Sequence, residues 1–145
     1  MNRFLILLII VVLILISHTG CSNDISPNAV PVFEANTYSS RIGSKEYDFE
    51  VSSQLIDSSQ EWSFDQKMPV TMEDAVAIAK KDIDRYDKDN KLWVLSRIEL
   101  SRLGITNKWF YIVQFDKRMG INSDVISNDY LMIPVLFNGK TIKGE

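Results

Sequence analysis

The sequence predicts an α+β fold: one main helix packed on an antiparallel sheet of three to five strands, behind an apolar N-terminal leader. Three observations predict it. Residues 72–86 carry apolar side chains at helical spacing behind a good N-cap, Thr71. Residues 92–103, 109–115 and 130–137 alternate or run apolar over strand lengths, with turn residues between them. Asn138-Gly139 is the best hairpin turn in the chain.

The leader comes first. Arg3 precedes an unbroken run of thirteen apolar residues, Phe4 to Ile16, and Ser17-His18-Thr19-Gly20-Cys21 follows. A helix of that run spans about 20 Å, against a hydrocarbon core of about 30 Å. A basic start, a short apolar run and a small-residue exit read as a signal peptide over 1–20 rather than a transmembrane anchor. Residues 21–36, with Pro27 and Pro31 among small polar residues, read as a tether. Residues 37–145 are expected to form a single α+β domain.

Within that domain, Tyr38 to Ile42 reads as a first extended piece. Tyr47, Phe49 and Val51 alternate with Asp48, Glu50 and Ser52, as in a strand with one wet face. Ser52 to Gln66 reads as a loop whose aromatics, Trp62 and Phe64, tuck back. The helix is expected from Met72 to Tyr86, with Asp74 in the capping-box position and Met72, Ala75, Val76, Ala79, Ile83 and Tyr86 on its apolar stripe. Leu92 to Leu103 is the next strand, with Leu92, Val94, Ile98 and Leu100 on one side and Trp93, Leu95, Arg97 and Glu99 opposite. Trp109 to Phe115 is apolar on both faces, which predicts a central strand. Lys117 to Asn128 reads as a polar loop. Tyr130 to Phe137 contains Pro134, which lacks a ladder donor and so predicts an edge or a bulge. Lys140-Thr141-Ile142 can add only a short last strand.

Two resemblances follow from these residues. Thr19-Gly20-Cys21-Ser22 resembles the processing site of bacterial lipoproteins, with His18 standing where that family has an aliphatic residue. The resemblance implies lipidation of Cys21 and a place in the cell envelope, at the outer membrane in a two-membrane host. Thr71 to Ala79, followed by Trp93-Val94-Leu95 and Lys108 to Val113, resembles PepSY-like domains of envelope proteins; a cystatin-like arrangement is the related alternative. The PepSY resemblance implies a small binding or inhibitory module and supplies no catalytic residues.

Chemistry is limited by what processing would leave. Cys21 is the only cysteine and His18 the only histidine. A processed chain would hold no His, and its thiol would be alkylated, so nucleophile pairs with His and Cys- or His-ligated zinc are excluded. No cofactor is expected. The formal charge of -3 would become about -4 on losing Arg3, and no basic stripe with interleaved aromatics points to nucleic acid. Asp82, Asp84, Asp87, Asp89 and Asn90 fit neither register of a calcium loop, because position twelve falls on Trp93 or Ile98. Glu73 and Asp74 are explained by capping. Trp93, Arg97 and Glu99 are the candidate partner-binding residues, Trp93 as an exposed aromatic beside an ion pair.

The expected activity is therefore that of a membrane-tethered, extracytoplasmic, non-enzymatic module that binds a protein or peptide. The alternatives are an immunity or inhibitor lipoprotein, whose acidic residues between Asp24 and Gln66 would meet a basic target, and a hydrolase using Glu99 and Asp82.

Overall fold

The computed structural model describes residues 35–56 and 61–145. The expected signal peptide, Cys21 and most of the expected tether lie outside the described residues. Among the described residues, five strands and one α-helix are present: β1 Ala35–Ile42, β2 Lys45–Ser52, α1 Met72–Asp82, β3 Trp93–Arg102, β4 Trp109–Arg118 and β5 Ile126–Leu136. The strands form one antiparallel sheet in the order β2-β1-β5-β4-β3. Among the described residues, no helix is long and apolar enough to cross a membrane.

Helix α1 begins where its cap dictates. Thr71 Oγ1 accepts from the Asp74 amide at 3.1 Å, and the Thr71 amide donates to Asp74 Oδ2 at 3.4 Å. This is a reciprocal capping box, with Asp in the place Glu usually takes. Ala75, Ala79 and Ile83 are fully buried, and the two alanines bring the helix backbone close to the sheet. The regular helix stops at Asp82 and tightens into a 3₁₀ turn over Ile83–Arg85, so Tyr86 lies just beyond it. There the Tyr86 ring packs on Tyr47 and Phe49 of β2, with centroids 5.2 and 5.5 Å away.

The predicted interior strand is β4, which lies between β3 and β5. Residues paired across an antiparallel ladder share a face. Tyr111, Val113 and Phe115 therefore share the helix side with Val135, Ile133 and Leu131 of β5. Tyr111 Oη donates to the Val70 carbonyl at 3.2 Å and meets Met68 Sδ, tying the segment before the helix to this face. Phe110 and Ile112 face the other way and are also buried; the Tyr38 ring covers Phe110 edge-on at 6.0 Å.

Pro134 occupies a place the sheet has prepared. Its strand is interior, yet β1 meets β5 only at Arg41 opposite Tyr130. Beyond that, Ser40 Oγ accepts from the Met132 amide at 2.8 Å, and the ladder ends. The missing Pro134 donor thus points where β1 has already departed, while its carbonyl accepts from Ile142 at 3.2 Å. The chain turns back at Asn138-Gly139, where Gly139 has φ 77. Thr141 then bridges Val135. The tail continues to β2, where Asp48 and Glu145 exchange both backbone hydrogen bonds at 3.0 and 3.1 Å. The outer edge of β2 is therefore paired at Asp48.

Two expectations are corrected. The segment between β4 and β5 is shorter than Lys117–Asn128 and is not simply polar, since Met119, Ile121 and Val125 are exposed along it. The loop after β2 tucks back only in part. Trp62 and Ile56 are buried, but Phe64 is 76 % exposed. Residues 57–60 lie outside the described residues.

Candidate functional site

Strand β3 carries the candidate residues, and its geometry turns on one extra residue. The ladder pairs Leu95 with Phe115, then Arg97 with Gln114, so Ser96 is a bulge. A bulge shifts the two-residue alternation by one. Trp93 and Leu95 accordingly share the helix face with Ile98 and Leu100, while Arg97, Glu99 and Ser101 take the opposite face. The simple alternation expected from the sequence, with Trp93 and Leu95 beside Arg97 and Glu99, fails at Ser96.

Trp93 is not an exposed aromatic; it is 4 % exposed. Its Nε1 donates to Asp87 Oδ2 at 3.1 Å, and Lys117 Nζ donates to the same oxygen at 2.6 Å while lying 5.8 Å from the Trp93 ring centroid. Burial works against the Asp87 carboxylate. The hydrogen bonds from Lys117, the Asp89 amide and Trp93, with the Lys117 charge, outweigh it and hold its pKa below the ordinary value. Arg97 and Glu99 are exposed and paired at 3.5 Å, an arrangement that contributes at most about 1 kcal/mol. They lie across the sheet from Trp93. The three residues do not form one patch.

What the bulge does bring together is apolar. Leu95 and Ile98 on β3 line a groove of about 390 Å³ with Met72, Glu73 and Val76 of α1. Leu95 is 48 % and Met72 54 % exposed, so the groove opens to solvent. Glu73 at its lip adds to burial in pushing the Tyr111 phenol pKa up.

The groove runs beside an open sheet edge. The Leu103 amide donates to the Lys108 carbonyl at 3.0 Å, which fixes the phase of the ladder. The backbone groups of Ile98, Leu100 and Arg102 then point away from β4. Among the described residues they have no backbone partner. By contrast, the tail pairs β2 at Asp48 and the C-terminal end of β5 at Pro134, Val135 and Leu136. A larger hollow of about 440 Å³ is built by the tail with Glu50 and Leu55, and it is rimmed by Lys143 and Glu145.

The acids at the helix end are occupied. Asp82 Oδ2 accepts from Arg85 at 2.8 Å and from Thr141 Oγ1 at 2.6 Å, and Asp84 accepts from Asn90 at 2.6 Å. Among the described residues, no group of three or more His, Cys, Asp or Glu is placed to hold a metal ion. Glu99 and Asp82 are not brought together: Glu99 lies on the sheet face opposite the helix that carries Asp82.

Sequence reasoning missed the groove, although a signal was present. Leu95 and Ile98 are three apart, a spacing that cannot share one face of an uninterrupted strand. No protein-family model, curated protein or solved structure matches the chain.

Proposed function

We propose that this chain is a membrane-tethered extracytoplasmic binding module without enzymatic activity, which holds a protein or peptide partner by strand addition at β3. The observation that carries the reading is the open β3 edge lying beside the groove of Met72, Val76, Leu95 and Ile98. An extended partner would gain main-chain hydrogen bonds from Ile98, Leu100 and Arg102 and lodge alternate apolar side chains in the groove. Tethering rests on the lipoprotein-like Cys21. The order of a capped helix, then β3, then aromatic β4 supports a PepSY-like or cystatin-like domain.

The test is site-specific photo-crosslinking in the producing cell. A crosslinker replacing Leu95 should yield one discrete adduct, and one replacing Asn122 should not. Ile98→Pro, which removes an outward donor without touching the β4 ladder, should abolish the adduct. No adduct from Leu95 would sink the reading. Cys21→Ser should separately move the chain out of the membrane fraction.

A second reading is favoured by one observation. Glu46, Asp48 and Glu50 alternate along β2 and are all exposed, forming an acidic stripe. An immunity or inhibitor lipoprotein would meet a basic exported toxin or hydrolase there. Binding of that kind weakens with salt and with Glu46→Lys plus Glu50→Lys, and survives Ile98→Pro.

A further inference from the structure

The end of the domain where the tether enters exposes large apolar groups, and its placement follows from the ladders. Ala35 starts β1 opposite Ser52, and the next carbonyl, Ser53, accepts from Lys108 Nζ at 3.2 Å. Lys108 sits in the turn joining β3 to β4. That turn also receives the Trp62 amide on the Asn107 carbonyl at 2.9 Å. The start of β1, the β3–β4 turn and the segment around Trp62 are therefore neighbours at one end of the sheet.

This end carries Ile105, 87 % exposed at the turn, and Phe64. The Phe64 ring lies 5.4 Å edge-on from Trp109, and the Arg102 guanidinium sits 5.6 Å from the Trp109 ring centroid. An aromatic cluster with a polar handle and outward apolar tips has the composition of a membrane interface. The tether adds an independent argument. Only residues 22–34 separate Cys21 from Ala35, so a lipid on Cys21 is joined to the domain at the start of β1. An anchor at Cys21 would thus hold this end, rather than the far end of the strands, nearest the lipid.

We propose that the domain docks on the bilayer through Phe64, Ile105 and the Trp109–Arg102 pair. The inference rests on the membrane-tethered reading. Charge at this end is mixed, with Lys67, Arg102 and Lys108 against Glu61 and Asp65. Docking is therefore driven by apolar burial and holds at high salt and on neutral lipid. It leaves the β3 edge facing sideways, open to a partner.

The test reconstitutes the full chain into phosphatidylcholine vesicles with plain or brominated acyl chains. Trp emission should fall in brominated vesicles, at low and high salt alike. The loss should disappear in Phe64→Ser plus Ile105→Ser, while that variant still cosediments and keeps its circular dichroism. Trp109→Phe should remove most of the quenchable signal. A chain that cosediments with equal emission in both vesicles overturns docking and leaves the tether intact. One that does not cosediment overturns the tether, and docking with it. Absent quenching together with a dimer that dissociates in the double variant assigns this end to a second copy and overturns the lipid.

Discussion

Lys117 Nζ lies 2.6 Å from Asp87 Oδ2, joining the end of β4 to the segment that follows the helix. Both side chains are partly buried, and the acceptor oxygen also takes the Trp93 indole. The bond therefore fixes the entry of β3 as well as the helix exit. Removing one partner leaves a partly desolvated charge without its hydrogen bond, which destabilises the fold.

The pH dependence follows from that carboxylate. Asp87 has a lower pKa folded than unfolded, so on acidification the unfolded chain takes up the proton first. Its contribution is complete at neutral pH, and it declines as pH falls below the ordinary value of 3.8 toward the depressed folded one. Denaturant titrations should show acid destabilisation that is shallower in Asp87→Asn, which should also be less stable at pH 7.

Deleting Ser96 should be severe. Restoring plain alternation would turn either Trp93 and Leu95 or Ile98 and Leu100 to the wrong face. Expelling buried Trp93 costs at least about 3 kcal/mol on the scale of core truncations. Ser96→Ala, which keeps the residue count, should be close to neutral in urea melts.

Gly144→Ala should loosen the tail. A Cβ there would meet the Phe49 ring at 2.8 Å, and Phe49 is fully buried. Overpacking of this kind costs about 1–3 kcal/mol. Hydrogen exchange should show the Asp48 amide, protected by the Glu145 carbonyl in the native chain, opening before the β4–β5 ladder.

Thr71→Ala should cost about 1 kcal/mol by removing the acceptor for the Asp74 amide, whereas Thr71→Ser should cost little. Thermal melts of the two variants separate the capping hydroxyl from the side-chain methyl. Because Glu73 borders the groove, Thr71→Ala should also weaken any partner crosslinked from Leu95.

The helix and β4 were legible from the sequence because each rule there acts alone. Thr71 caps whatever follows it, Ala75 and Ala79 recur at helical spacing, and an all-apolar β4 needs cover on both faces. Arg97 and Glu99 were legible as an exposed ion pair for the same local reason. Trp93 was not. Its orientation depends on a bulge and on Asp87 and Lys117, which come from other elements. The open β3 edge was likewise hidden, because it is defined by where the tail goes. Nothing in Lys140-Thr141-Ile142 says that these residues will pair with the place β1 vacates.

Closure at Asp48 sets an order of events. The β1–β2 hairpin is local and can form early, but its outer edge stays bare until the Glu145 backbone arrives from almost the full described length away. Contacts of such separation form late, after their loop entropy has been met. During that interval the hairpin presents a strand edge to every neighbouring chain, guarded only by Lys45, Glu46, Asp48 and Glu50. Charge on β2 thus guards an edge that the tail closes only at Asp48.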